Sequence, residues 1–251
     1  MSDPWDDLAR ELDKWAGLGL EATFWLRDDD AETRTPALDR LLGDAGAPVV
    51  LAVIPRDAGE ALAEAVLAAE AVGVMQHGWC HANHAGPDEK KMELGDHRPS
   101  DVIGDELARG DNRLRALFGE RYLKALAPPW NRIGADTASR LAGWGYVGLS
   151  TFGPRGKAMT APGLVCVNTH IDIIDWRGTR GFRGDRDVID QAISHLRGRR
   201  EGDADSDEPS GLITHHLVHD EGCWGFIEKF VRVTGDHPAV RWLTLHETFA
   251  G

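Results

Sequence analysis

Cysteine is scarce in this chain, with Cys80, Cys166 and Cys223 the three examples among 251 residues. An odd and scattered set argues against a disulfide framework and favours a reducing compartment. No stretch approaches the ~18 consecutive apolar residues that a membrane-spanning helix needs, so we expect no membrane contact. The acidic, amphipathic first residues do not have the basic and apolar regions of a signal peptide, and we therefore expect a cytoplasmic protein.

Positive charge is also in short supply. The chain has 28 Lys and Arg against 41 Asp and Glu, which gives a formal net charge of -13. Phosphate binding needs clustered Lys and Arg, so we exclude nucleic acid as a partner and expect a small-molecule or oligosaccharide substrate. Oligomeric state cannot be inferred from these counts. A composition of 42% hydrophobic and 27% charged residues is typical of a globular protein with a sizeable core.

Apolar runs alternate with helical patterns along the whole chain. This alternation favours a parallel sheet, and seven or eight units in this length favour closure into a barrel. We predict an α/β protein, a distorted parallel (β/α) barrel of about seven strands, with residues 1–251 as a single domain. The polar segment 198–210 is predicted to be a mobile acidic loop. Runs typical of strands lie at residues 22–26, 48–54, 74–76, 123–127, 146–150, 164–168, 212–214 and 240–245.

Charged and polar residues follow several of these apolar runs. Asp28, Asp29 and Asp30 follow the first, and His77 and His81 follow the third. In a parallel barrel the carboxyl ends of the strands meet at one mouth, so these side chains are expected to converge. Two histidines spaced i, i+4 and a carboxylate from another strand suit Zn²⁺ or a similar divalent cation. Such a cation activates water, a second carboxylate can take its proton, and a further histidine can protonate a departing amine.

The same positions resemble the motifs of the polysaccharide deacetylases with a NodB homology domain, also called carbohydrate esterase family 4. The resemblance extends from about Trp25 to Trp242, and the motifs occur in the family's order. Each motif alone is a weak signal, whereas five in order are a strong one. They are Asp28-Asp29 ahead of Thr35-Pro36, His77 to His81, Pro128-Pro129-Trp130, Asp172 to Trp176, and Leu212 to His215.

This resemblance implies a metal-dependent hydrolase that removes N-acetyl groups from amino-sugar oligosaccharides or a related soluble acetamide. By the family's pattern Asp28 is the general base, Asp29 is a metal ligand with His77 and His81, and His215 is the general acid. The implied cofactor is Zn²⁺, with Co²⁺, Mn²⁺ or Ni²⁺ as alternatives. The residues expected to bind substrate or to support these groups are Asp30, Trp79, Trp130, Asn131, Asp172, Asp175, Trp176 and His216.

Some positions depart from the family pattern. Ala127 stands where the family has an arginine that orients the base, and Arg27 and Arg132 are the candidates to replace it. Gly78 stands where the family has Thr or Ser inside the histidine motif. The loss of the arginine leaves open a catalytically silent carbohydrate-binding barrel. Hydrolysis of another non-peptide C–N bond, in a cyclic amide or ureide, is a further alternative.

Two assignments also stay open within the motifs. Asp30 stands where the family has glycine, so the base and the ligand can shift from Asp28 and Asp29 to Asp29 and Asp30. His215 and His216 are adjacent and point to opposite sides if they lie on a strand, so one of them is the acid. The motif register favours His215.

Overall fold

The computed structural model describes residues 2–250, and within that range we find ten β-strands and eight α-helices. The strands are β1 (Ala22–Ala31), β2 (Val49–Val53), β3 (Val72–Gln76), β4 (Tyr122–Leu126), β5 (Gly148–Leu149), β6 (Met159–Ala161), β7 (Leu164–Cys166), β8 (Ile171–Asp172), β9 (Ser210–Thr214) and β10 (Val240–Trp242). The helices are α1 (Pro4–Gly17), α2 (Pro36–Asp44), α3 (Glu60–Ala68), α4 (Ser100–Phe118), α5 (Ala135–Arg140), α6 (Asp185–Glu201), α7 (Glu221–Gly235) and α8 (Leu245–Thr248).

The strands form one curled sheet in the order β6-β7-β5-β4-β3-β2-β1-β9-β8, with β10 paired to β1. The pairing of β6 with β7 is antiparallel, and the other named strand pairs are parallel. Helices connect most of the parallel strands, as right-handed crossovers require. The predicted α/β class and parallel barrel architecture are therefore confirmed, in the open form of a half-barrel.

Alternation along the central strands separates two faces of the sheet. Phe24 and Leu26 of β1 pack in a core with helices α1, α2, α6 and α7. Trp25 of β1 and Val50 and Ala52 of β2 belong to a second cluster inside the curl. Both faces are buried, which is why these strands are continuously apolar, and each large side chain buried contributes roughly 1.5–3 kcal/mol. Odd residues in the regular part of β1 therefore face the inside of the curl.

The segment 198–210, predicted to be a mobile acidic loop, is anchored to the sheet. Glu208 is fully buried and accepts hydrogen bonds from the backbone N–H groups of Asn168 (2.9 Å) and Arg155 (2.8 Å). Asp205 forms an ion pair with Arg155 at 2.9 Å. The acidic composition misleads here, because buried backbone N–H groups need acceptors and carboxylates provide them.

The carboxyl ends of the parallel strands bring the candidate functional residues to one mouth. Asp30 lies near the end of β1, His77 directly follows β3, and His215 directly follows β9. Asp172 is the last residue of β8, at the same edge. Among residues 2–250, no helix combines the length and the apolar character that crossing a bilayer would take.

Candidate metal centre and active site

Asp30, His77 and His81 form a compact group at the mouth of the half-barrel. Asp30 Oδ1 lies 3.1 Å from His77 Nε2 and 3.3 Å from His81 Nε2. One potential ligand atom from each residue lies within 4.8 Å of the other two. Asp30 Oδ1 is buried and has no hydrogen-bond partner despite these short distances. Three potential metal ligands lie this close together, and the carboxylate oxygen among them has no hydrogen bond. This arrangement fits a divalent cation.

The tautomer of His77 fits the same interpretation. Its Nδ1 lies 2.9 Å from the carbonyl oxygen of Ala127. A carbonyl can only accept, so Nδ1 carries a proton, and in the neutral form of the ring the Nε2 lone pair faces Asp30. Backbone carbonyls commonly orient metal-binding histidines in this way. The residues present therefore fit a zinc-like cation.

Electrostatics keep Asp30 ionised at this position. Burial is the largest influence and would raise its pKa, but His77, followed by His215 and His81, lowers the pKa below its ordinary value. Burial also opposes the charged form of His77, while the carboxylates of Asp29 and Asp30 raise its pKa. The group thus holds a carboxylate anion where a cation would bind.

The carboxylate beside the histidines belongs to Asp30, contrary to the expectation that Asp29 joins them. The pairing of β1 with β2 shifts register between Asp28 and Ala31, and Asp30 has a positive φ of 71°. This irregularity turns the chain at the end of β1 and redirects the Asp30 side chain towards His77 and His81. The alternative register, with Asp29 and Asp30 in place of Asp28 and Asp29, therefore describes the geometry.

Asp29 is held instead by the buried guanidinium of Arg27. Arg27 Nε donates to Asp29 Oδ1 at 2.8 Å, and Nη2 donates to Oδ2 at 3.0 Å. Arg27 also donates to Ser150 Oγ (2.7 Å) and to Asn131 Oδ1 (2.5 Å). These bonds satisfy a guanidinium that has no exposure to solvent. Arg132 donates to the carbonyl of Lys91, so of the two candidate arginines Arg27 is the one that contacts an aspartate of this run.

Asp28 faces away from this group and is not available as the general base that the resemblance implied. One of its oxygens accepts from the Thr214 hydroxyl (2.7 Å) and the His216 N–H (2.9 Å). The other lies 2.5 Å from His216 Nδ1. Burial would raise the pKa of Asp28, but His216 lowers it, and Asp28 in turn raises the pKa of His216 against burial. The two fully buried groups form an ion pair beneath the mouth.

His215 is the histidine of the adjacent pair that lies at the mouth. Its ring meets the edge of Trp176 at 4.8 Å, and Trp176 Nε1 donates to Asp172 Oδ2 at 2.9 Å. His215 lies close enough to lower the pKa of Asp30. Burial raises the pKa of Asp172 even though His215 opposes this shift. Asp175, expected to hold the acid histidine, accepts from the backbone of the turn at residues 178–179 instead.

Trp130 and Trp79, both expected to bind substrate or support the site, differ in what covers their rings. Trp130 packs against His81 with ring centroids 4.3 Å apart, and it adopts a positive φ of 56°. Trp79 is covered by the guanidinium of Arg109 at 4.7 Å from the ring centroid. Trp130 therefore borders the candidate centre, whereas one face of Trp79 is already occupied.

A second group of two histidines and a carboxylate lies at the amino end of β9. Glu208 Oε2 is 3.3 Å from His170 Nε2 and 3.9 Å from His195 Nε2, and the two rings stack at 3.4 Å. His170 Nδ1 accepts the backbone N–H of Gly211 at 3.1 Å. Burial, followed by His170 and Arg199, lowers the pKa of His195 to about 2. No motif in the sequence indicated this group.

Comparison with solved structures identifies the fold. No protein-family model matches the sequence, and no curated protein matches it significantly. The chain is similar to a family 4 carbohydrate esterase from Streptomyces lividans, solved with acetate, at 16% identity over 87% of this chain and 90% of the other, with a TM-score of 0.56. It is similar to a CE4 esterase from Streptococcus mutans (13% identity, 94% and 89% coverage, TM-score 0.55). A chitin deacetylase from Colletotrichum lindemuthianum also matches (15% identity, 91% and 88% coverage, TM-score 0.52).

At these identities the likeness establishes the fold. The chain has the fold of the family 4 carbohydrate esterases, the group whose motifs the sequence resembles, and the fold that this resemblance implied is confirmed.

Proposed function

We propose that this chain is a metal-dependent hydrolase that removes N-acetyl groups from amino-sugar oligosaccharides or a related soluble acetamide. The observation that carries the proposal is the convergence of Asp30, His77 and His81, with Asp29 adjacent in the chain and His215 close to Asp30. The likeness to deacetylases supports acetamide chemistry, since a carbohydrate esterase and a chitin deacetylase share this fold.

Asp30, His77 and His81 would hold the cation, for which we propose Zn²⁺, with Co²⁺, Mn²⁺ or Ni²⁺ as alternatives. When bound, such a cation supplies a Lewis acid that polarises the amide carbonyl and makes water more acidic. His77 is oriented for this by Ala127, and Asp30 is kept ionised by the surrounding histidines. We assign Zn²⁺ because two imidazoles and one carboxylate form a common zinc ligand set in hydrolases.

Asp29 takes the proton from the attacking water. It shares the inner face of β1 with Arg27, two residues earlier, and both of its oxygens accept from that guanidinium. The bidentate pair fixes the direction of the remaining carboxylate lone pairs, as a positioned general base requires. Asp28 does not take this proton, because it forms an ion pair with His216 beneath the mouth.

His215 gives a proton to the departing amine, and the turn after β4 stabilises the oxyanion. Trp176 packs against the His215 ring and is itself held by Asp172. The Asn131 N–H already donates to the carbonyl of Pro128, and proline has no N–H. We therefore assign the Trp130 N–H to the oxyanion.

Acetate release from short N-acetylglucosamine oligomers tests the function. The protein is stripped with a chelator, reloaded with Zn²⁺ or Co²⁺, and assayed beside a panel of cyclic ureides and imides. We expect acetate release that depends on the added metal. Hydrolysis of the cyclic substrates alone would overturn the acetamide assignment, and metal binding without any turnover would favour a carbohydrate-binding barrel.

A further inference from the structure

Glu93 is a fully buried carboxylate that serves the loop between the two candidate histidine ligands. Its Oε1 accepts from the backbone N–H groups of Trp79 (3.1 Å) and Cys80 (2.9 Å). Its Oε2 accepts from the N–H of His81 at 3.1 Å. Three consecutive amides thus converge on one side chain, and such a backbone concavity binds anions. The carboxylate fills a site that the loop itself creates.

The charge of Glu93 is stabilised by these amides. Arg98 donates to the backbone carbonyl of Glu93 at 3.1 Å, but its guanidinium forms its ion pair with Glu106. A buried anion is costly unless it is fully hydrogen-bonded, so the three N–H donors and the carboxylate depend on each other.

The loop held by Glu93 has an unusual backbone. Gly78 and His81 have positive φ values of 58° and 54°. A non-glycine residue in that region is unfavourable and persists where surrounding contacts impose it. A Cβ at Gly78 would lie 2.2 Å from Glu93 Oε2, so the glycine and the glutamate fit each other. The two histidines, spaced i, i+4, therefore lie at the two ends of a braced loop.

The two histidines are oriented by different means. His77 directly follows β3, and its ring is fixed by the carbonyl of Ala127. His81 lies at the far end of the loop, where Glu93 binds its backbone N–H and Trp130 packs on its ring. Loss of the Glu93 carboxylate would therefore release His81 and leave His77 in place.

We propose that Glu93 is the positioning residue of the candidate metal centre, acting through the backbone of residues 79–81 to present His81 to Asp30. This inference rests on the proposed function for what the cation does there. Glu93 would impose the conformation of this loop whatever reaction the protein catalyses. Gly78 takes part because a side chain at that position would displace Glu93.

Cobalt affinity is the first test. Co²⁺ is titrated into chelator-treated wild type, Glu93→Gln and Glu208→Gln, and binding is followed by calorimetry and by the visible cobalt spectrum. Glu208 is the matched control because it is also fully buried and also accepts backbone N–H groups, at the other end of the sheet. We expect Glu93→Gln to weaken binding about 10- to 100-fold, as loss of a supporting contact does. Glu208→Gln should stay within about twofold of wild type. Equal weakening in both variants would contradict the proposal.

A double-mutant cycle tests whether Glu93 acts through His81. In a His81→Ala background we expect Glu93→Gln to have little further effect on the Co²⁺ affinity, because the residue that it positions is gone. Full additivity of the two substitutions would assign Glu93 a general structural role and overturn the proposal.

Amide hydrogen exchange provides a readout that needs no metal. In Glu93→Gln the amides of Trp79, Cys80 and His81 should exchange faster than in wild type, while the amides of β3 should be unchanged. If wild type binds no cation, the proposed function fails and this measurement still decides the role of Glu93. Unchanged exchange at residues 79–81 would overturn it.

Discussion

Two groups of two histidines and one carboxylate lie at opposite ends of the parallel sheet. At the mouth, Asp30 Oδ1 lies 3.1 and 3.3 Å from the Nε2 atoms of His77 and His81. At the amino end of β9, Glu208 Oε2 lies 3.3 and 3.9 Å from those of His170 and His195. By residue type and proximity alone, both groups could hold a cation.

The backbone group that faces Nδ1 distinguishes the two. At the mouth a carbonyl faces His77 Nδ1, which places the proton there and leaves Nε2 free to bind a cation. At the other end an N–H faces His170 Nδ1, so the neutral ring carries its proton on Nε2, which lies 3.3 Å from Glu208 Oε2. A cation at His170 Nε2 would have to displace that proton and leave the ring without any. The hydrogen-bond partner of Nδ1 therefore decides whether Nε2 of a histidine can bind a metal.

Replacement of Asp29, the proposed base, should have the largest effect on turnover. Asp29→Asn keeps Asp30, His77 and His81 but removes the base, so kcat should fall about 10²- to 10⁴-fold with the metal still bound. The measurement is acetate release together with elemental analysis. Glu208→Gln, at the other group, should leave kcat within about twofold. Near-normal turnover in Asp29→Asn would place the base elsewhere.

Substitution of one histidine in each group should show, by the metal content of the variants, which of the two groups binds zinc. His77→Gln should lose bound zinc, whereas His170→Gln should retain about one equivalent per chain. Zn²⁺ at about 100 times its Kd should stabilise wild type and His170→Gln by about 2.7 kcal/mol, with no gain in His77→Gln. The measurements are elemental analysis and urea unfolding with and without zinc. Two equivalents in wild type, with one lost in each variant, would show that both groups bind metal.

The smallest expected effect is a pH dependence of stability at the second group. His195 has its pKa lowered to about 2 in the folded protein, against an ordinary value near 6.5. Between these values the unfolded chain binds a proton that the folded chain does not. The contribution is therefore present above pH 6.5 and is lost as the pH falls, by about 1 kcal/mol per pH unit.

Urea unfolding from pH 7.5 to 5.0 measures this effect. The free energy of unfolding of wild type should fall more steeply with acidification than that of His195→Gln. Parallel curves would mean that His195 is not held neutral by its surroundings.

Much of the fold followed from the sequence because both faces of the central strands are buried, which makes the strands continuously apolar. The residues at the mouth also followed, since charged residues directly after such strands meet at one edge of a parallel sheet. His77, His81 and an aspartate of the Asp28–Asp30 run were brought together as expected. The choice among the three aspartates failed because the irregularity between β1 and β2 shifts the register by one residue.

Strand alternation contains a signal that would have excluded Asp28 as the base. Trp25 faces the inside of the curl, so Arg27 and Asp29 share its face, while Asp28 lies on the opposite face with Leu26. The role of Glu93 has no comparable signal. Its contacts depend on how the polar loop before α4 returns to the histidine loop, and neither periodicity nor motif spacing describes that return.

The placement of Arg27 on β1 has a consequence for how the protein can diversify. In the resembled family the orienting arginine begins the motif with the paired prolines, which here is the turn after β4, whereas here it stands two residues before Asp29 on the same strand. The proposed base and its guanidinium thus lie together on one strand. The proline turn contacts this pair through the amide of Asn131, and its Trp130 also packs on His81. A change in that turn would therefore leave the two hydrogen bonds between Arg27 and Asp29 on β1 in place.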